Sequence, residues 1–153
     1  MSNIGIDITA VDTTAQFTPG QVFDLPDDGV MKTYKYIQYV SAGVSSVVGN
    51  VAYYVLAATD TSGTQVSSVV AEGAGIGAGV LQSILATTEY GWVQIAGPAT
   101  CTTAFTAGAD GNGLTAVGAG AAGTLDVSGL VSDYVCAVTI DASEKIILCQ
   151  FPR

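Results

Sequence analysis

The chain has 153 residues, of which 49% are hydrophobic and only 11% charged, and its formal net charge is −9. This length suits one domain with a buried core. Thirteen acids against four cations exclude the basic patch that neutralises a nucleic-acid backbone, so no nucleic-acid partner is expected. So few charges leave much neutral surface, which proteins usually cover with partners, and the composition therefore favours an oligomer.

Residues 1–30 form the first predicted unit, an extended N-terminal arm. They contain five aspartates and no cation. Isoleucines recur at every second position from Ile4 to Ile8, which is the period of a strand. We expect the arm to dock on a partner protein by adding a strand to a sheet edge, with a frayed terminus as the alternative. The predicted docking residues are Ile4, Ile6, Asp7, Ile8 and Asp12.

Residues 31–153 form the second predicted unit, a β-rich structural domain. Short apolar and β-branched runs alternate with turns of Gly, Asp, Asn and Ser, which predicts an all-β fold, as a small β-sandwich or a β-barrel-like domain. The clearest hairpin is expected around Asp141–Ser143. The predicted strands cover residues 33–40, 50–58, 65–72, 80–86, 91–97, 99–106, 123–127, 134–140 and 145–151.

The uncharged stretch 36–59 raises the question of a membrane span. Polar residues such as Gln38 and Asn50 interrupt it, as do Gly43 and Gly49. Spanning helices need about 20 mostly apolar residues, so two strands joined by a Gly/Ser turn are the better prediction, and no membrane partner is expected. The N-terminus has no basic region followed by an apolar run, so no secretory signal is expected.

Two segments consist of small residues, GAGIGAG at 73–79 and GAGAAG at 118–123. Glycine lets backbones approach closely, so we expect ordered tight loops or crowded contacts, with disorder as the alternative. The second segment formally matches GxGxxG. The residues after Gly123 do not begin a helix, which a dinucleotide site requires, so no cofactor is predicted.

The residues of common catalytic and metal sites are scarce. The sequence has no histidine, which removes the commonest general base and metal ligand. Cys101, Cys136 and Cys149 show no CxxC spacing, and we expect buried, reduced, structural thiols in a protein assembled in a reducing cytoplasm. The Asp110–Gly113 turn lacks the later ligands of a calcium loop. We therefore predict no catalytic, cofactor-binding or metal-binding residues and no enzyme activity.

The run from Tyr90 to Gly97, YGWVQIAG, carries a resemblance to a known family. It resembles a pattern in small capsid decoration, or cement, proteins of tailed bacteriophages, where a Gly/Ala-rich segment and a closing strand pair follow. The corresponding parts here are Gly108–Gly123 and Tyr134–Phe151. The resemblance implies a β-rich structural subunit on the capsid surface of the virion, usually a homotrimer, that clamps the junctions between copies of the major capsid protein.

Trp92 is the only tryptophan. Trp92 and Gln94 alternate with Val93 and Ile95, which predicts a strand with one face in the core and Trp92 as a core or interface anchor. The expected function is thus that of a structural virion protein. A bacterial surface adhesin or ice-binding β module is the alternative, given the Thr, Ala and Gly content, but we find no regular Thr spacing. An enzyme ranks third.

Overall fold

A computed structural model describes residues 5–56 and 62–153. The regular elements of these residues are strands, apart from a 3₁₀ turn at Val70–Glu72, and the predicted all-β class is confirmed. Valine, threonine and tyrosine suit a pleated sheet, whereas the many glycines disfavour helices. The strands are β1 (Val22–Asp27), β2 (Val30–Tyr39), β3 (Val51–Tyr54), β4 (Gln65–Ser67), β5 (Gly77–Leu81), β6 (Tyr90–Thr100), β7 (Gly113–Thr115), β8 (Asp126–Val127), β9 (Val135–Asp141) and β10 (Ile146–Gln150).

Five strands close into a barrel. In the order β2, β4, β3, β5 and β6 each strand pairs with the next, and β6 pairs with β2 again. The β2–β4 pairing is parallel and the others are antiparallel. Closure gives each of these strands a partner on both edges, which removes the exposed edges of an open sheet. Of the two predicted architectures, the β-barrel-like one describes this part of the chain.

The sheet continues beyond the barrel on both sides. β1 forms a hairpin with β2, and β10, β9, β7 and β8 follow one another outward from β6. β6 belongs to the barrel and to this extension, because its first half pairs with β2 and its second half with β10. Two strands were predicted where β6 forms one. Gly97 allows this continuity, since it adopts φ 87° and a Cβ there would lie 2.9 Å from the Met31 carbonyl oxygen.

Some sequence predictions match the strands and others do not. The hairpin around Asp141–Ser143 is confirmed by the antiparallel β9–β10 pairing. The predicted strand at 65–72 is shorter, because the 3₁₀ turn replaces its second half. β1 was not predicted, because Pro26 and two aspartates are unusual in a strand. β7 was not predicted either, because three residues are too few to show a strand pattern. The predicted boundary at residue 30 lies at the end of the β1–β2 hairpin turn, so residues 22–27 of the predicted arm belong to the sheet.

Two hydrophobic clusters lie on opposite faces of β2 and β6, because successive side chains of a strand point to opposite sides. Ile37, Val93 and Ile95 lie in the main core, inside the barrel. Tyr36 and Trp92 lie in the second cluster. One face of β6 lies in the main core, as predicted, but residues 91–95 are buried on the other face as well, since a second layer covers the Trp92 side.

The two small-residue segments pack closely against neighbouring parts of the sheet. Gly77 begins β5, and a Cβ there would lie 2.7 Å from the Phe151 ring and 2.9 Å from the Cys136 sulfur. Gly123 adopts φ 72° directly against the Asn50 side chain. Its carbonyl accepts a hydrogen bond from the Val51 amide, which fastens the second segment to β3. Glycine is required at both places because any side chain would collide with the core.

Candidate interaction surfaces

The N-terminal segment, residues 5–21, lies across the outside of β2 and β6. Its side chains alternate in burial, with Ile6 and Ile8 partly buried and Asp7 and Thr9 exposed. Ile6 and Ile8 pack against the second hydrophobic cluster. The predicted period of two is therefore present, but it directs these isoleucines onto the protein's own barrel. Ile4, the other predicted docking isoleucine, lies outside the described residues.

Aromatic rings fasten this segment to the sheet. We define the aromatic cluster as Phe17, Phe23, Tyr36, Tyr90 and Trp92. The Phe17 ring lies 5.2 Å from the Trp92 ring and 5.3 Å from the Tyr36 ring, both edge to face. This geometry pairs the positive edge of one ring with the negative face of the next. Trp92 is fully buried at the centre of the cluster, so it is a core anchor, one of its two predicted roles.

Asp12 provides a second attachment of the N-terminal segment to β2 and β6, through hydrogen bonds. Its amide donates to the Tyr90 carbonyl at 3.0 Å, and the Tyr90 amide donates to the Asp12 carbonyl at 2.8 Å. The Tyr36 hydroxyl donates to the Asp12 carboxylate at 2.6 Å. Burial, and then this hydrogen bond, raise the pKa of Tyr36 to about 12. Asp12 thus holds the segment on its own subunit, a role that its sequence position did not reveal.

Acidic side chains border the segment where it meets the β1–β2 hairpin. A pocket of about 490 Å³ separates Ile6 and Ile8 from the hairpin turn, whose residues Asp27 and Asp28 line it. Asp7 is exposed, and hydrogen bonds from the Thr9 hydroxyl and amide lower the pKa of its carboxyl group. We call Asp7, Asp27 and Asp28 the acidic edge. At neutral pH it presents negative charge to solvent, with Lys32 pairing to Asp27 at 2.6 Å.

A second surface consists of uncharged side chains, with Lys32 at its border. Leu148 of β10 is paired with Pro98 of β6 on one side and with Val138 of β9 on the other. Residues that oppose one another in antiparallel strands place their side chains on the same face. Leu148 and Ile140 are exposed. We call Pro98, Val138, Ile140 and Leu148 the uncharged sheet face; its three strands contain one charged residue, Asp141, at the end of β9.

The three thiols are buried and unpaired, as the sequence predicted. Burial raises the pKa of Cys101 and of Cys136 to about 12, and it raises that of Cys149 further. Within residues 5–56 and 62–153, no three acidic, cysteine or histidine side chains are arranged to hold a metal ion. The same residues include no helix of the length and hydropathy needed to cross a bilayer.

A buried cation is the feature that sequence reasoning missed. Lys35 is 7% exposed, and its ammonium donates to the Tyr54 hydroxyl at 2.8 Å. It lies at the junction of two surface pockets, which Gly63 and Arg153 also line. A lysine within the aromatic run TYKYIQY is a signal for such a site, since charged residues are rarely placed in a buried strand without a reason.

Comparison of the chain with models of protein families, with characterised proteins and with solved structures finds no match.

Proposed function

We propose that the protein is a structural virion subunit that binds the outside of a phage capsid as a homo-oligomer and stabilises the capsid lattice. The observation that carries this proposal is the uncharged sheet face on a chain of net charge −9. Fifteen large hydrophobic side chains among the described residues are exposed, Ile140 and Leu148 of this face among them. Exposed apolar area of this kind is typical of surfaces that bind other proteins.

Self-association through the uncharged sheet face is the first part of the proposal. Copies that each carry a charge of −9 repel one another, and the repulsion is weakest where the contact surfaces carry no charge. The strands β6, β10 and β9 place these side chains on one side of the sheet, so a second copy can contact several of them at once. We propose a homotrimer, the state that the resemblance at Tyr90–Gly97 implies.

Capsid docking through the N-terminal segment is the second part. Ile6 and Ile8 pack on the aromatic cluster, so the side that the segment presents outward is that of Asp7. We propose that the acidic edge, with Asp7, faces basic side chains of the major capsid protein, and that Asp12 keeps the segment in place. Attraction between exposed charges mainly accelerates encounter and selects the partner, and it weakens as salt rises.

The resemblance supports the fold of the proposed subunit more than its docking. The residues that carry it, Tyr90–Gly97, form most of β6, which joins the barrel to the sheet extension and is buried on both faces. A partner bound to the outside of the protein does not reach such residues. The docking surface therefore has to be tested on other parts of the chain.

The mass of the protein in solution tests the oligomer. Sedimentation equilibrium should give three times the 15.4 kDa chain mass. The substitution Leu148→Asp should yield monomers, because three buried carboxylates would then face one another without partners. Ile84→Asp is the matched control, since Ile84 is exposed in the loop after β5 and lies outside the uncharged sheet face. A trimeric Leu148→Asp variant contradicts the proposed interface.

Co-sedimentation with undecorated phage capsids tests the docking. Replacing Asp7, Asp27 and Asp28 together by Asn should weaken capsid binding and reduce its dependence on salt. A control variant removes the same number of charges elsewhere, through Asp110→Asn, Asp133→Asn and Glu144→Gln, and should bind as the unmodified protein does. Equal binding by both variants contradicts docking through the acidic edge.

A further inference from the structure

The environment of Lys35 is unusual for a lysine. On β2 its neighbours Tyr34 and Tyr36 point into the aromatic cluster, so Lys35 lies on the opposite face, which is the face of Ile37 and the main core. The residue is 7% exposed, and its ammonium donates to Tyr54, a residue of the main core. The strand therefore places a charged group at an end of the barrel interior.

Lys35 has no anionic counterpart in the described part of the chain. The ion pairs there join Lys32 to Asp27 and Arg153 to Asp24, the latter at 3.7 Å. Lys145 is hydrogen-bonded to the Thr102 carbonyl. An ammonium group removed from water destabilises a protein unless an anion or several hydrogen bonds compensate. Among the described residues the Tyr54 phenol supplies this compensation alone, through its hydroxyl oxygen and through its ring, whose centroid lies 5.1 Å from the ammonium.

A pocket of about 350 Å³ adjoins this ammonium. Its charged and hydrogen-bonding side chains are Lys35, Tyr54 and Arg153, together with the hydroxyl of Tyr134. Since the Tyr54 hydroxyl accepts the bond from Lys35, its own proton remains to be donated, and among the described residues it donates to no acceptor. The apolar lining consists of Leu56, Ile76, Tyr134 and Pro152.

We propose that this pocket binds an organic carboxylate with an apolar body. The carboxylate accepts hydrogen bonds from the Lys35 ammonium and the Tyr54 hydroxyl, with the Arg153 guanidinium beside it, and the apolar body packs on Ile76 and Tyr134. Pockets of this size with a few convergent polar groups are typical of small-ligand sites. The carboxylate comes either from a free organic acid or from the end of an apolar peptide. The proposal is independent of capsid binding.

Titration with 3-phenylpropionate and with its neutral amide tests the ligand class. Calorimetry should detect binding of the acid and not of the amide, and NMR shifts should concentrate at Ile76 and Tyr134. A short peptide that ends in phenylalanine, with a free or an amidated C-terminus, distinguishes the two sources of the carboxylate. If neither acid binds at millimolar concentration, or if the amides bind equally well, the proposal is overturned and pocket water alone solvates Lys35.

Substitutions locate the site. Lys35→Met retains the length of the side chain and removes its charge, and the affinity for the better-binding acid should fall about tenfold or more. Lys145→Met removes one positive charge outside the pocket and should leave the affinity unchanged. Tyr54→Phe removes one donor while keeping the ring in the core, and it should weaken binding even if Lys35→Met fails to fold. Unchanged affinity in Tyr54→Phe, or equal losses in both lysine variants, overturns the proposal.

Discussion

The main core and the aromatic cluster share the strands β2 and β6 but are closed in different ways. The main core is enclosed by a ring of hydrogen-bonded strands. The aromatic cluster is covered by the N-terminal segment, whose described backbone bonds to the sheet are those of Asp12 with Tyr90 and of Gly20 and Gln21 with Tyr36. A cover held by few backbone bonds opens at lower free energy than a closed ring does. We therefore expect the main core on one face of the sheet to open only with the whole barrel, and the N-terminal segment on the other face to open at lower free energy.

This difference bears on the proposed docking. The proposed docking requires the segment to stay on its own cluster, where Asp12 holds it and Asp7 points outward. Ile6, Ile8 and Phe17 all pack against this cluster, so variants that open the segment test whether it must stay there. Variants that damage both cores should therefore behave differently from variants that only open the N-terminal segment.

Trp92→Ala should have the largest effect, because Trp92 lies on a strand common to both cores and is fully buried. We expect the free energy of unfolding to fall by about 3–5 kcal/mol, the usual range for deleting a buried large aromatic side chain. Urea denaturation followed by circular dichroism measures this. A loss of under about 1 kcal/mol would mean that the cluster contributes little to the fold.

Phe17→Ala should destabilise less and locally. Phe17 is only partly buried, and its loss removes the ring contacts with Trp92 and Tyr36 while β2 and β6 stay paired. We expect about 2 kcal/mol, below the range for fully buried phenylalanine. Hydrogen exchange should accelerate at the amides of Asp12 and Gln16 and stay slow at Val93. Equal acceleration at Val93 would show that segment and barrel unfold as one unit.

Asp12→Asn should destabilise the packing of the segment on the sheet by less than Phe17→Ala does. The amide oxygen still accepts from Tyr36, so the variant replaces a charge-assisted hydrogen bond by a neutral one, for a loss of about 1 kcal/mol. The pKa of Tyr36 should fall, because the neighbouring negative charge that raises it is gone. Asp7→Asn is the control and should leave the Tyr36 titration unchanged, since Asp7 is exposed and is hydrogen-bonded to Thr9.

The thiols of the main core should not respond when the N-terminal segment opens. Burial raises the pKa of Cys101 and Cys136 to about 12, so almost no thiolate forms at pH 8 and iodoacetamide should not modify the native protein. Phe17→Ala should not change this, because it opens only the cover. As pH rises from 9.0 toward 12, the unfolded chain releases these protons and the folded one retains them, so stability should fall. Rapid labelling of Phe17→Ala at pH 8 would contradict the separation of the two cores.

Replacing all three cysteines by alanine sharpens the same point. Each buried site should lose about 1–2 kcal/mol through the cavity left behind. Oligomer mass and capsid binding should persist in a folded triple variant. Cys101, Cys136 and Cys149 are buried, so a partner bound to either proposed surface does not contact them. A folded variant that no longer associates would assign these thiols a role in assembly.

Local patterns in the sequence determined the all-β class, the β9–β10 hairpin, the buried thiols and the alternation of Ile6 and Ile8. These properties depend on side-chain type and on a period of two, which neighbouring residues specify. The tertiary structure determined which part of the protein each of these segments packs against. The barrel closes because residues 33–38 of β2 pair with residues 90–96 of β6. Asp12 forms hydrogen bonds with Tyr36 and Tyr90, which are distant from it in the sequence.

Lys35 shows the same division. In the sequence it is one cation among four. Its burial follows from its position on the main-core face of β2, and its ammonium is bound there by Tyr54 of β3. A sequence pattern specifies the direction of a side chain relative to its neighbours. Its burial and its partners depend on which distant segments fold over it, because contacts between remote residues arise only when the chain closes.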